Sequence, residues 1–471
     1  MRFCKNISKF FRCNETLIML VILALFFVIQ LSGLFGFYAY GWDESVYLQM
    51  SRNIATGGEH GIMEEIRPLL FPAMLIPFFR SMFASRLLVL MMATTALWLL
   101  YLISKELLPD SGIGWLFPAL LAIYPAYYIN STSIMTDVPA LFFNAFSMLL
   151  FLRRRYALSG AAGFVSFMLR PTFAIFLPIM FIALFFIEKR NDTIRKVISF
   201  AAGIASALPL MLLNVYVFYG KTGNILSAAI YPMIIQLKDS TSSPYLWYYG
   251  GGAIVYFRDL IAWSLLSVFC AAGVMILLFR LSRIPDSKTG LIMRKNLMAL
   301  AFFIFPTLYL ALILKRIFIR YFLFAMPWLV YFMFFGIVGL GSIIKWHDLN
   351  RKSRGMLHLA YCIIIAVLIL SAIINSVSTI RNEYHAPEEL YTTYYFALEN
   401  VSEDSRILTA VPMIKTDAEI VIGYDNDRYF YDKLRQSSDY DYIYYTSNWF
   451  PCRQNDSGCL RLRQETKEYL K

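Results

Sequence analysis

The feature that most constrains this chain is a series of long apolar segments, the first of which begins at Thr16. The hydrocarbon core of a bilayer is about 30 Å thick, and a helix needs roughly 20 apolar residues to cross it. Many windows of the sequence meet that length, and 59% of all residues are hydrophobic while only 16% are charged. This balance excludes an ordinary soluble globule. We predict an all-α polytopic membrane protein.

The apolar segments predict about eleven transmembrane helices. The first follows the basic stretch MRFCKNISKFFRCNE and lacks the short core of a signal peptide, so we expect an uncleaved anchor. The fifth and sixth segments are short, and one broken re-entrant pair is an alternative to two crossings. The predicted spans are residues 16–40, 82–104, 113–128, 138–152, 157–169, 172–187, 196–219, 260–280, 297–314, 321–344 and 357–377.

Lysine and arginine are concentrated in alternate connections between these segments. A cytoplasmic N-terminus places the basic segments RRR, KR, RLSRIPDSKTGLIMRKN and KWHDLNRKSR inside, as the positive-inside rule requires. The C-terminus of this multi-pass protein is then extracytoplasmic. Because topology explains the net charge of +12, we expect no nucleic-acid partner.

The composition changes after about residue 380, where RILTAV, AEIVIGY and DYIYYTS resemble strands and APEELYTTYYFALEN and RLRQETKEYL resemble helices. We therefore predict a transmembrane domain over residues 1–380 and a small extracytoplasmic α/β domain over residues 381–471. The second domain has neither a Gly-rich phosphate loop nor a Ser/His/Asp pattern. Its Cys452 and Cys459 could form a disulfide in an oxidising compartment, although spacing alone does not show the bond. No His/Cys cluster has the spacing of a zinc site.

Three outer loops are of particular interest. The first, residues 41–81, contains ESVYLQMSRNIATGG, which predicts an amphipathic helix on the membrane surface that ends at Gly57–Gly58. The following RPLLFPAMLIPFF is too short and too rich in proline for a crossing, and we expect it to dip into the interface. The second outer loop is the brief INSTSIMTD, which leads to Asp137. The third, at residues 220–259, is rich in Tyr, Gly and Ser, and it is a candidate lid.

Three carboxylates near the predicted outer face are candidate catalytic residues. Asp43 and Glu44 directly follow the first apolar segment, and Asp137 begins a later one in SIMTDVPALFF. Simple helix capping is the alternative for all three. As catalytic groups, Asp43 would deprotonate an incoming hydroxyl, Glu44 would hold the first helical turn or bind the acceptor, and Asp137 would orient the acceptor or raise the basicity of Asp43.

A group of cations on the same side breaks the positive-inside pattern. The stretch LILKRIFIRYFLFAMPW places Lys315, Arg316 and Arg320 outside, with Tyr321 next to them. Such residues can merely extend to lipid headgroups, but three within one short connection favour a bound anion, for which a lipid-linked phosphate is the natural candidate. Arg67 and Arg170 are further cations on this side. Arg170 interrupts two apolar helices, where an unpaired cation costs roughly 2.5–3.5 kcal/mol, so we expect it to pair with Asp137 or with the anion.

Together these groups are suited to one reaction. A sugar carried on a polyprenyl phosphate has a good leaving group, and cations can stabilise the departing phosphate. A carboxylate base on the opposite face of the sugar would activate a hydroxyl acceptor, and displacement would invert the anomeric centre.

The motifs YGWDESVYLQMSRNIATGG, RPLLFPAML, MTDVPALFF, LRPTFAIFLP and KRIFIRYFLFAMPW occur in the order seen in GT-C glycosyltransferases. The chain resembles the branch that contains dolichyl-phosphate-mannose protein mannosyltransferases and lipid A aminoarabinose transferases, over most of residues 1–377. The resemblance implies a multi-pass fold, a polyprenyl-phosphate sugar donor and inverting transfer without a required metal or other cofactor. It makes Asp43 the catalytic acid of the family, Glu44 its partner, Asp137 the acid of the second loop, and Arg320–Tyr321 the basic segment near the donor.

The chain departs from that pattern in ways that leave the acceptor open among lipid, glycan and protein. It has RPLL where protein mannosyltransferases have a His-Pro-Pro-like stretch, and it lacks a trefoil-type domain and a Trp-Trp-Asp motif. Alternatives of another class are a transporter or flippase for a lipid-linked anionic sugar, which would have inverted repeats, and a non-catalytic sensor.

Overall fold

The computed structural model describes most of the membrane domain and three short pieces of the C-terminal region. The described residues are 14–34, 42–109, 111–187, 190–242, 265–281, 288–313, 319–346, 351–383, 406–409, 419–422 and 442–444.

The described part of the chain is mainly helical. Its α-helices are α1 (Glu15–Leu34), α2 (Trp42–Ala55), α3 (Leu70–Leu75), α4 (Met82–Leu107), α5 (Leu116–Ala122), α6 (Pro125–Asn130), α7 (Asp137–Leu152), α8 (Tyr156–Leu169), α9 (Phe176–Ile187), α10 (Arg190–Ala207), α11 (Leu212–Thr222), α12 (Ile225–Ser242), α13 (Val268–Leu281), α14 (Lys288–Leu312), α15 (Met326–Trp346) and α16 (Arg351–Glu383). Short 3₁₀ helices lie at Pro171–Ile175, Leu208–Met211, Leu265–Ser267 and Ile319–Phe324.

Six helical segments within the described residues are long and apolar enough to cross a membrane. They are Glu15–Leu34, Met82–Leu107, Asp192–Thr222, Gly290–Leu312, Met326–Ile343 and Gly355–Ile380. Shorter apolar helices occupy Asp137–Leu152, Tyr156–Leu169, Pro171–Phe186, Ile225–Gln236 and Leu265–Leu281. A multi-pass membrane protein is thus confirmed, whereas the count of eleven crossings stays a prediction.

Proline explains where the predicted span at 113–128 differs from the structure. That span is divided into α5 and α6, and Pro125 is the first residue of α6. Proline disfavours helical backbone at the preceding residue, and Tyr124 is accordingly extended, with φ −71° and ψ 125°. One continuous helix is therefore replaced by two short ones.

Two other predictions about the outer loops need correction. The helix predicted over ESVYLQMSRN is present as α2, but its residues 44–51 are buried in the protein rather than laid on a membrane surface. The physical reason is that Val46 and Met50 pack with Phe218 of α11. The predicted loop at 220–259 contains the helix α12, which packs against α11.

Buried polar contacts connect helices that are distant in sequence. Glu15 accepts hydrogen bonds from Lys105 Nζ and from the backbone N–H of Gly114, both at 2.5 Å. Asn296 of α14 donates to the carbonyl of Leu107 at 3.2 Å and accepts from the hydroxyl of Tyr331. Because an unpaired polar group in an apolar interior is costly, these contacts fix which helices are neighbours.

One close helix crossing joins α13 and α15 through two glycines. A Cβ atom on Gly336 would lie 2.0 Å from the carbonyl oxygen of Phe269 and 2.9 Å from the backbone nitrogen of Gly273. A Cβ on Gly273 would lie 2.2 Å from the carbonyl oxygen of Phe332. Small residues allow backbones to approach in this way within membranes.

The C-terminal region contains three strands, β1 (Arg406–Thr409), β2 (Glu419–Ile422) and β3 (Tyr442–Tyr444). They form a parallel sheet in the order β2-β1-β3, with Ile407 opposite both Ile420 and Tyr442. The strands agree with the three strand-like stretches of the sequence. The helices predicted beside them, and Cys452 and Cys459, lie outside the described residues, so the α/β domain as a whole stays a prediction.

The glycine crossing predicts that Gly336→Ala destabilises the protein by about 1–3 kcal/mol, because the added methyl group meets backbone atoms that cannot rotate away. The apparent melting temperature of the purified protein in detergent measures this. Gly220→Ala in α11 is the matched control, since a Cβ there meets nothing within 4 Å. Equal melting temperatures for the two variants would contradict the crossing.

Candidate active site

Helix α2 places Asp43 and Glu44 at its first turn. Carboxylates there lie at the positive end of the helix dipole, which stabilises them. The helix ends at Ala55, and the chain turns through Gly57 and Gly58, with φ values of +66° and +97°. The turn sends the chain back towards the start of the helix.

The returning chain makes a close approach to α2 at Gly61. A Cβ atom here would lie 2.3 Å from the carbonyl oxygen of Gln49 and 2.9 Å from the backbone nitrogen of Asn53, and the φ of Gly61 is +81°. Only glycine fits both the space and the backbone conformation. The segment that follows therefore lies beside α2 and brings Glu64 and Arg67 to Asp43.

Arg67 is held between two carboxylates. One of its terminal nitrogens donates to Asp43 Oδ1 at 2.5 Å, and its Nε donates to Glu64. Its guanidinium also lies 4.8 Å from the ring centroid of Tyr47, one turn along α2 from Asp43. Three contacts thus fix the position of this cation.

Arg320 pairs with the other oxygen of the same carboxylate. It lies on the 3₁₀ helix Ile319–Phe324, and its Nη1 donates to Asp43 Oδ2. The same nitrogen lies 3.0 Å from Met135 Sδ in the second outer loop. Both oxygens of Asp43 are therefore engaged by cations from distant parts of the chain.

Tyr321 connects this group to a second ion pair. Its ring centroid lies 5.5 Å from the guanidinium carbon of Arg320 and 4.9 Å from that of Arg170. Arg170 in turn donates to Asp137 Oδ2 at 2.8 Å and to the hydroxyl of Thr136 at 3.3 Å. The pairing that the sequence predicts for Arg170 is present.

Local sequence explains how Arg170 reaches the site. It precedes Pro171, so helical backbone is disfavoured, and its φ of −149° and ψ of 110° are extended. Helix α8 ends there, and the side chain can turn towards the start of α7. Asp137 is the first residue of α7, and Thr136 occupies the N-cap position. Asp137 thus both begins a helix and pairs with Arg170.

Glu44 lies behind Asp43 and is buried. It accepts from Arg86 of α4 at 2.9 Å and 3.3 Å, and from the backbone N–H of Ile134 at 2.8 Å. These contacts tie the first turn of α2 to α4 and to the second outer loop. Between the two roles that the sequence leaves open, the geometry favours holding the helical turn over binding the acceptor.

Opposite charges balance in this part of the site. The carboxylates of Asp43, Glu64 and Asp137 face the guanidinium groups of Arg67, Arg170 and Arg320. Burial would raise the pKa of Asp43, but Arg320 and Arg67 outweigh it and hold that pKa well below its usual value. Burial alone would lower the pKa of Arg67 and of Arg320. The neighbouring carboxylates outweigh it, and the pKa of each arginine is raised. Asp43 is therefore ionised throughout the ordinary pH range.

Sequence reasoning missed Glu64 and Arg86. The three-residue spacing between Glu64 and Arg67 could have indicated an ion pair. The cost of burying Arg86 in an apolar helix could have indicated that it needs a carboxylate partner. Lys315 and Arg316, which the sequence places with Arg320, lie outside the described residues. Among the described residues, no group of three or more His, Cys, Asp or Glu side chains is arranged to hold a metal ion.

The site can carry out acid–base and anion chemistry. A permanently ionised carboxylate is a hydrogen-bond acceptor for a hydroxyl, and the planar guanidinium groups beside it match the oxygens of a phosphate. The arrangement therefore suits a reaction in which a hydroxyl loses a proton while a phosphate is stabilised.

Comparison with known proteins gives the family context. The sequence profile of the dolichyl-phosphate-mannose-protein mannosyltransferases matches residues 73–169. No curated protein sequence matches the chain at a significant level.

Solved structures give the fold. ArnT from Cupriavidus metallidurans, bound to undecaprenyl phosphate, is similar with a TM-score of 0.58 at 11% identity, covering 91% of this chain and 90% of ArnT. The chain has the GT-C glycosyltransferase fold. The Archaeoglobus fulgidus oligosaccharyltransferase, tethered with an acceptor peptide, also shares the GT-C fold; its TM-score is 0.57 at 12% identity, covering 91% of this chain and 69% of that one. The GT-C resemblance of the sequence is thus confirmed.

The ion pairs of Asp43 predict a pH-dependent stability difference between the wild type and Asp43→Asn. The depressed pKa contributes stability that is present above the unfolded value of about 3.9 and is lost as the pH falls through the lower folded value. We expect the variant to melt several degrees lower from pH 5 to pH 8, with the gap closing only below about pH 4.

Melting curves in detergent at a series of pH values measure that gap. Asp192→Asn is the matched control, because Asp192 is 68% exposed and lies on α10. If the gap between wild type and Asp43→Asn closed already near pH 6, the paired state of Asp43 would be wrong.

Proposed function

We propose that this protein is a membrane glycosyltransferase that transfers a sugar from a polyprenyl-phosphate donor to a hydroxyl acceptor. The observation that carries the proposal is the meeting of Asp43 with Arg67 and Arg320, which joins a base to cations suited to phosphate. The GT-C fold supports it, as does an ArnT structure with undecaprenyl phosphate bound. The matched segment of the mannosyltransferase profile supports it further.

Asp43 acts as the general base in this proposal. Its carboxylate accepts the proton of the acceptor hydroxyl as the oxygen attacks the anomeric carbon. Glu44 holds the helical turn that carries Asp43, through Arg86 and the backbone of Ile134. Asp137 keeps Arg170 in place beside Tyr321.

The cations replace a general acid. The bond from the anomeric carbon to the phosphate oxygen breaks, and the phosphate leaves as an anion that Arg320 and Arg170 stabilise. Tyr321 lies between the two guanidinium groups and fixes their spacing. Lys315 and Arg316 belong to the same basic segment, and we include them in the phosphate site on sequence alone.

The proposed displacement inverts the anomeric centre, because base and leaving group act on opposite faces of the sugar. The proposal assigns no step to a metal or a cofactor. It places the N-terminus in the cytoplasm, the site and the C-terminal α/β domain on the extracytoplasmic side, and membrane lipids around the helices. Lipid, glycan and protein acceptors all satisfy this mechanism.

The transporter alternative is less well supported. Two solved structures that share the fold, ArnT and an oligosaccharyltransferase, are glycosyltransferases.

Incubation of the purified protein with a panel of radiolabelled polyprenyl-phosphate sugars tests the proposal, with identification of the labelled product. We expect transfer from at least one donor. Asp43→Asn should lower kcat by about 10³-fold or more while the protein remains folded, because the base is lost. Transfer at the wild-type rate by Asp43→Asn would rule out the assigned base.

Arg320→Ala tests the phosphate site in the same assay. We expect the donor KM to rise about tenfold or more, with a smaller change in the acceptor KM, because one charge-assisted contact to phosphate is lost. Equal losses for donor and acceptor would contradict the phosphate role. Glu65 pairs with Lys221 and not with the Asp43 group, and Glu65→Gln serves as the control with wild-type kinetics.

A further inference from the structure

The contacts of Asp43 have to rearrange for the proposed chemistry to proceed. An in-line displacement needs the sugar between the base and the leaving phosphate, as the wide carboxylate spacing of inverting glycosidases illustrates. In the structure, Arg67 engages Oδ1 and Arg320 engages Oδ2 directly. A cation that held both Asp43 and the leaving phosphate would keep them on the same side of the sugar, so the cation that binds the phosphate has to leave Asp43.

The surroundings of the two cations differ. The Arg67 side chain is 11% exposed and contacts two carboxylates and the Tyr47 ring. The Arg320 side chain is 22% exposed, lies on a short 3₁₀ helix, and contacts Asp43, Met135 Sδ and the Tyr321 ring. Arg320 is therefore easier to reach from outside, and the ion pair with Glu64 ties Arg67 to a second carboxylate of its own loop.

We propose that Glu64 is a positioning residue that keeps Arg67 on Asp43, so that the donor phosphate takes Arg320 and frees one oxygen of the catalytic carboxylate. This inference rests on the proposed function and concerns the order of events at the same site. Glu64 acts through Arg67, not on the substrate.

The exchange uses a cation that the site already holds. The donor phosphate brings negative charge into a group whose carboxylates and guanidinium groups already balance. Pairing Arg320 with the phosphate moves an existing cation instead of adding one. Loss of one cation also raises the pKa of Asp43 from its depressed value, which makes it a stronger base at the moment when the donor is bound.

The neighbouring Glu65 offers a matched comparison. It follows Glu64 directly, but it pairs with Lys221 of α11 and accepts from the hydroxyl of Tyr231 of α12 at 2.9 Å. The two adjacent glutamates thus serve different partners, and replacing either by glutamine removes the same charge from the same loop. A difference between the two variants reports the contact and not the charge alone.

A double-mutant cycle on phosphate binding tests the role of Glu64. The probe is a short-chain polyprenyl phosphate without a sugar, titrated against purified full-length protein in detergent. Arg320→Ala should weaken binding about tenfold in the wild type. In the Glu64→Gln background it should weaken binding only about two- to threefold, because the released Arg67 takes over the phosphate. In the Glu65→Gln background the tenfold loss should remain.

Kinetics of the same variants provide a second measurement. Glu64→Gln should lower kcat about tenfold without raising the donor KM, since the phosphate is still bound but pairs with the wrong arginine. Glu64→Asp, which keeps the charge, should restore part of the lost kcat. A residue that only stabilised the fold would not separate kcat from KM in this way.

The outcomes distinguish failure of this inference from failure of the proposed function. If the wild type binds the probe and Arg320→Ala costs the same in all three backgrounds, the role of Glu64 is wrong and the glycosyltransferase proposal stands. If the wild type neither binds the probe nor transfers sugar from any donor in the panel, both are wrong.

Discussion

The organisation of the site depends on one carboxylate, that of Asp43, and on the two guanidinium groups that neutralise it. Removing an ion from water costs several kcal/mol, which only well-placed opposite charges offset. Arg67 arrives from the same outer loop and Arg320 from a 3₁₀ helix far along the chain. The contact therefore ties together segments that no local preference would bring into register, and the surrounding helices must place them within hydrogen-bond distance.

From Asp43 outward, carboxylates and guanidinium groups alternate. A series of ion pairs runs from Glu64 through Arg67 and Asp43 to Arg320. The ring of Tyr321 connects this series to the pair of Arg170 and Asp137. This arrangement keeps each charge beside its opposite. It also means that an incoming anion competes with resident carboxylates. Under the proposed mechanism, affinity for the anion and the basicity of Asp43 are then two aspects of one equilibrium.

The sequence identified the residues of the site whose charge carries a free-energy penalty in an apolar environment. Charges at the edges of apolar segments identified Asp43, Asp137, Arg170 and Arg320, because lipid or protein interior penalises them. It did not identify Glu64, whose neighbours in sequence are also polar, or Arg86, which lies near the start of a helix. Nor did it predict that α2 is buried or that α12 is helical, since both depend on packing between α2, α11 and α12. Tertiary contacts decide such features, and the hydrophobic periodicity of the sequence does not carry this information.

Gly61 carries no charge, yet the electrostatics of the site depend on it. A side chain at this position would meet the backbone of α2 and move the loop away from the helix. Arg67 and Glu64 would move with it, and Asp43 would lose one of its counterions. Tolerance to substitution in this loop is thus governed by distance from the α2 backbone as much as by chemical type. A map of permissible residues would show strict selection at a position with no functional group.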